Sequence, residues 1–136
     1  MTEPLWLERR WVDALHFQQL ARFGGLHGVR DEGAIESALA RARNQWEYGG
    51  ERDLCRLAAA YAFGLARNHG YSDGNKRIAF VAMAVFLDLN GLELAADEVD
   101  VVRTVLALAA GEIGEAALAE WVRRNAVPIA GDDAAL

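Results

Sequence analysis

The sequence predicts an all-α fold, a compact bundle of about six helices around a central buried helix. Three observations carry that expectation. Apolar residues recur at helical spacing along most of the 136-residue chain. The two prolines, Pro4 and Pro128, lie near the ends, so neither breaks a helix in the interior. The stretch from Asn75 to Asn90 is apolar on two faces, as a helix enclosed by others must be. No repeat and no low-complexity linker divides the chain, so one domain over 1–136 is expected, with 128–136 as a frayed acidic tail.

The first helix is expected from about Val12 to Phe23. Val12, Leu15, Phe17 and Leu20 form its apolar face, and Gly24-Gly25 stop it. A glycine-rich loop follows to Arg30. Asp31 then caps a helix from about Glu32 to Arg43, with Ile35, Ala38, Leu39 and Ala42 on one side. Residues Asn44 to Gly50 are aromatic and polar and end in Gly-Gly. They read as a loop or a small flap that would place Trp46 and Tyr48 near a peptide, or leave them as ordinary packing residues.

The third helix, about Arg52 to Asn68, carries Leu54, Leu57, Ala58, Tyr61 and Leu65 at helical spacing. The fourth carries Ile78, Val81, Ala82, Val85 and Leu89 on one face and Phe80, Met83 and Leu87 on another. It is therefore expected at the centre, with the third packed on it. Leu92 to Ala95 reads as a strand or extended link, and helices follow over about Glu98–Ala110 and Glu115–Ala126.

Composition limits the function. Twenty acidic residues against 14 basic ones give a net charge of -6. This argues against broad electrostatic binding to nucleic acid or an anionic membrane. Cys55 is the only cysteine, so no internal disulfide and no multi-cysteine zinc site can form. The longest uncharged apolar runs are about half a membrane span. The first ten residues lack the apolar stretch of a signal peptide. A cytoplasmic location is expected. Of the 14 basic residues only Lys76 is a lysine; the arginine bias itself reflects coding preference.

That lysine lies in the one stretch that reads as chemistry, His69-Gly70-Tyr71-Ser72-Asp73-Gly74-Asn75-Lys76-Arg77. A helix N-terminus carries unpaired N–H groups and about half a positive charge, which favours acidic residues. Lys76 and Arg77 have the wrong sign for that position unless an anion docks there. The amides of Gly74, Asn75 and Lys76, the Asn75 side chain and the two cations would then face one phosphate. His69 could take a proton from a hydroxyl, and Asp73 could hold Mg²⁺ through one carboxylate. These are parts of a phosphoryl- or nucleotidyl-transfer site. Plainer roles remain open: Asp73 as a helix cap, His69 as a cation at a helix C-terminus, Arg77 in a surface ion pair. His16 and His27 read as a helix-face residue and a loop residue. The four tryptophans read as core or subunit contacts and Cys55 as a small core residue.

His69-x-x-x-Asp73-Gly74-Asn75-Lys76-Arg77 resembles the signature of the Fic/Doc superfamily, and in particular its Doc (death on curing) branch of toxins. The commoner Fic pattern is H-P-F-x-[DE]-G-N-G-R-x-x-R. Here Gly70 and Tyr71 replace Pro-Phe, Lys76 replaces the glycine and Phe80 stands at the last arginine. N-K-R without that arginine is the Doc form. Arg22-Phe23-Gly24-Gly25-Leu26-His27-Gly28 resembles the R-Y-G-G-L-x-G segment of Doc proteins.

The resemblance implies a Mg-ATP-dependent protein kinase that phosphorylates elongation factor Tu and arrests translation. The alternatives it leaves are AMP transfer to a protein hydroxyl, as in Fic enzymes, and a catalytically silent binding protein. It implies ATP and Mg²⁺ as cofactors. By the same mapping His69 activates the acceptor, Asp73 binds Mg²⁺, and Gly74, Asn75, Lys76 and Arg77 hold phosphates, with Arg67 assisting. No S/T-x-x-x-E-[GN] inhibitory motif is present, so control is expected in trans. The implied partner is a Phd-like antitoxin whose flexible C-terminal segment folds into a groove on the toxin.

Overall fold

The computed structural model describes residues 2–129. Its elements are α1 (Arg9–Phe23), α2 (Glu32–Glu47), α3 (Leu54–Asn68), α4 (Asn75–Leu89), β1 (Leu92–Leu94), α5 (Glu98–Ala109), α6 (Glu115–Asn125) and β2 (Ala126–Pro128). The all-α expectation is met, with one addition. β1 and β2 pair antiparallel, Leu92 opposite Pro128 and Leu94 opposite Ala126. Pro128 therefore belongs to a strand and not to a tail, and the Ile129 N–H donates to the Gly91 carbonyl at 3.1 Å. The rest of the expected tail, 130–136, lies outside the described residues.

The centre of the bundle is α3, where the sequence had suggested α4. Ten of its fifteen residues are buried, from Cys55 to Ala66, against six on α4. The reason is side-chain size. Ala58, Ala59, Ala60, Ala62, Gly64 and Ala66 let neighbours close in from several sides. A Cβ at Gly64 would stand 2.9 Å from the Ala38 Cα, so α2 rests directly on the α3 backbone. On α4, Ile78, Ala79, Ala82, Met83 and Phe86 face the core, while Phe80 and Val81 remain half-exposed on the side that borders a cavity.

On α1 the buried face is Val12, His16 and Leu20, spaced by four. Phe17, expected inward, is 60% exposed and packs its ring near His27. Residues 44–47, read as a loop or flap, continue α2. Trp46 is held edge-on to Trp6 at 6.1 Å, and Trp6 in turn stacks on Phe86. Packing of that aromatic group outweighs the weak helix preference of the local sequence. Tyr48, at the helix end, is exposed.

The ends of the bundle are pinned by polar contacts. Asn90 bonds both the N–H and the carbonyl of Leu5. The Leu7 N–H donates to the Tyr61 hydroxyl. The Trp121 indole N–H donates to Asp100, joining α5 to α6, and Arg41 pairs with Glu115 to join α2 to α6. Among the described residues no helix is long and apolar enough to cross a membrane.

Candidate active site

The segment between α3 and α4 is held from four directions. His69 ends α3 in the left-handed region, φ 51°, the only non-glycine residue with positive φ among those described. Its carbonyl accepts from the Arg30 Nε–H at 2.8 Å. The Gly70 carbonyl accepts from the Arg30 and Asp31 N–H groups. Gly70 is a close-approach glycine, since a Cβ there would stand 2.3 Å from Ile35 Cγ1. Tyr71 bridges to Val29, and the Ser72 N–H donates to the Gly28 carbonyl, so residues 28–31 run beside 70–72.

Side chains from α1 and α4 fix the rest. Asn75 clamps Tyr71 with Oδ1 on its N–H and Nδ2 on its carbonyl, both 3.0 Å. The Tyr71 hydroxyl donates to Asp13 Oδ1 at 2.6 Å. Burial and the Asp13 carboxylate together push the Tyr71 phenol well above its ordinary range, so it stays a donor. Asp13 accepts from Arg9, which reaches Glu32 and Glu36 on α2. His16, buried on α1, stacks on the Tyr71 ring at 3.8 Å, and its Nε2 lies 2.7 Å from the Asp73 carbonyl.

Asp73 accepts one backbone N–H on each carboxylate oxygen, Gly74 on Oδ1 at 2.8 Å and Leu26 on Oδ2 at 3.1 Å. The Leu26 and Gly74 N–H groups, with Arg77 nearby, hold this carboxyl below its ordinary value of 3.8. It is ionised at neutral pH, with a lone pair left on each oxygen. Among the described residues no three His, Cys, Asp or Glu side chains gather to cage a metal. One ionised carboxylate beside a cationic helix start fits Mg²⁺ held jointly by protein and phosphate, the usual manner of Mg²⁺.

Gly74, φ 74°, stands at the cap position before α4, which has no side-chain cap and no acidic residue in its first turn. Lys76 and Arg77 form no ion pair among the described residues, although arginines elsewhere do. The Arg77 guanidinium leans over the Phe23 ring and contacts the Gln19 carbonyl. His69, Asp73, Gly74, Asn75, Lys76 and Arg77 line a cavity of about 610 Å³. The rest of its lining is largely apolar, with Phe80 and Val81 following Arg77 along one face of α4 and Val101, Val105 and Leu106 on α5. That size and mix suit a small-molecule ligand with an anionic end.

Six of the seven residues expected from sequence thus meet at one cavity. Arg67 does not line it. Its guanidinium lies near the Phe63 ring and the Gly111 turn between α5 and α6. Two of the expected phosphate-binding groups already have partners within the loop. The Gly74 N–H is spent on Asp73, and most of the Asn75 side chain is spent on Tyr71. Lys76, Arg77 and the uncapped amides of the first turn keep their donors free of side-chain partners among the described residues. Sequence reasoning missed His16, Arg30 and Tyr71. For His16 a signal existed: it lies four residues from both Val12 and Leu20, on the buried face, and a buried polar group needs a partner.

A family model, the Fic/DOC family, matches residues 6–87. The chain is similar to "Protein kinase doc" of Escherichia phage P1, with 33% identity over 111 residues, covering 82% of this chain and 87% of that protein. It is also similar to "Toxin Doc" of Mycolicibacterium smegmatis, with 47% identity over 77 residues, covering 55% of this chain and 58% of that protein. The matched span contains the whole His69–Arg77 loop and the α1 and α2 residues that hold it, so the chain belongs to the Fic/Doc family.

Proposed function

We propose that this chain is the toxin of a toxin–antitoxin pair and a Mg-ATP-dependent protein kinase whose acceptor is a hydroxyl on elongation factor Tu. The observation that carries the reading is the meeting on one cavity of His69, ionised Asp73 and two cations, Lys76 and Arg77, that form no ion pair among the described residues. The relative named as a protein kinase supports phosphoryl transfer as the reaction.

In this mechanism Lys76, Arg77 and the first-turn amides of α4 bind the phosphates and neutralise the charge that spreads over the transferred group. Mg²⁺ on Asp73 would supply further charge neutralisation. His69, exposed on the same rim, accepts the proton of the acceptor hydroxyl. The hydroxyl oxygen bonds to the γ-phosphorus as the bond to the bridging oxygen breaks, and ADP leaves with that electron pair. The apolar wall of α4 and α5 holds the non-phosphate part of the nucleotide away from water. Lys76 adds a cation where a glycine would leave space, which favours transfer of the terminal phosphate over AMP. A Phd-like antitoxin supplies the control.

The test is transfer from γ-labelled or α-labelled ATP to purified elongation factor Tu. Label from the γ position alone is expected. Label from the α position alone would make the chain an AMP transferase. Growth arrest that survives both His69→Ala and Asp73→Ala would remove the catalytic assignment, and no effect of the wild-type chain on growth would make it a silent binding protein.

A further inference from the structure

We propose that His16 is a positioning residue of this site, acting through the backbone of Asp73. The geometry is direct. A carbonyl only accepts hydrogen bonds, so at 2.7 Å from the Asp73 oxygen the His16 Nε2 must carry the proton and donate it. The ring is buried between Val12 and Leu20 on the inner face of α1, where an apolar residue would satisfy packing alone.

The consequence follows from peptide planarity. In the trans peptide joining Asp73 to Gly74 the C=O and N–H point in opposite directions. Drawing the carbonyl down onto His16 aims the Gly74 N–H the other way. There it donates to Asp73 Oδ1 at 2.8 Å and sets the carboxylate, which the Leu26 N–H completes on Oδ2. One imidazole thus fixes the orientation of the proposed Mg²⁺ ligand without touching metal or substrate. Stacking on Tyr71, itself tied to Asp13 and Arg9, fixes the imidazole. Groups that orient a ligating carboxylate in this way typically change metal affinity by about ten- to a hundredfold when removed.

The functional part of this inference rests on the reading of Asp73 as the Mg²⁺ ligand, and the test separates the two. His16→Gln keeps an N–H donor, and His16→Met has similar length and none. Amide hydrogen exchange at Gly74 and Leu26 is measured without any ligand. Binding of a non-hydrolysable ATP analogue with Mg²⁺ is measured by calorimetry. The Met variant is expected to exchange faster at both amides and to bind Mg²⁺-nucleotide about tenfold more weakly. The Gln variant is expected to stay close to wild type in both. A folded Met variant with unchanged Gly74 exchange overturns the proposal, as does a Gln variant that loosens as much as Met. If the Met variant does not fold, the Gln variant decides against wild type by the same exchange criterion. Wild type that binds no Mg²⁺-nucleotide would remove the proposed ligand role of Asp73 and leave the exchange result to judge His16.

Discussion

Asp73 shows how a single side chain here is set by backbone. Two N–H donors keep it charged, so its folded pKa lies below the unfolded one. The sign follows from linkage: its contribution is fully present above the unfolded value and is lost as pH falls through the lower folded value. Mg²⁺ affinity should therefore show no loss from Asp73 protonation between pH 7 and about pH 5. Asp73→Asn keeps an acceptor for one amide but removes the charge. It should lower Mg²⁺ affinity at every pH in that window, as read by calorimetry with a nucleotide analogue. An Asn variant with wild-type Mg²⁺ affinity would place the metal elsewhere. His16 marks the limit of sequence reading at this scale. Its spacing announced burial, but nothing in the chain states that the carbonyl it meets lies 57 residues away.

Among the elements, α3 and α4 were both legible as buried helices, and their order of burial was not. Hydropathy ranks α4 higher because its residues are larger. Enclosure depends on how closely neighbours approach, and that favours the alanine-rich α3. Gly64 gives this a number. Replacing it with alanine adds helix propensity of about 1 kcal/mol. It also forces a methyl to 2.9 Å from the Ala38 backbone, and overpacking of that kind costs about 1–3 kcal/mol. The net expectation is a loss of about 1 kcal/mol, read as a lower denaturant midpoint with unchanged slope. A gain in stability would mean that α2 can back away freely. The end of α2 differs from the sequence expectation for a related reason. Residues 44–47 are held helical by Trp6, which approaches from the start of the chain.

Across the whole molecule the candidate site draws on α1, α2, α3, α4 and α5, yet most of it was visible in nine consecutive residues. That is because a helix start brings neighbours in sequence together in space. The apolar wall from α5 and the supports from α1 and α2 are distant in sequence and needed the fold. The chain also offers a clean chemical probe. Lys76 is its single lysine, so an amine-selective reagent has one side-chain target besides the α-amino group. Mg-ATP should slow modification of Lys76 and leave the amino terminus unaffected, as read by peptide mass analysis. Equal rates with and without nucleotide would remove Lys76 from the phosphate site.

The left-handed turn at His69 has a consequence for how such a protein drifts. A side chain in that conformation costs about 1–2 kcal/mol that glycine escapes, against up to about 1 kcal/mol more chain entropy for glycine to lose. The ring itself is exposed, so its removal sacrifices little packing. His69→Gly is therefore expected to unfold at or above the wild-type temperature, and above His69→Ala, while phosphate transfer disappears. A chain relieved of its proposed toxicity at this one position would fold at least as well. Folding stability and activity pull this residue in opposite directions, so an inactivated copy would persist as a sturdy protein.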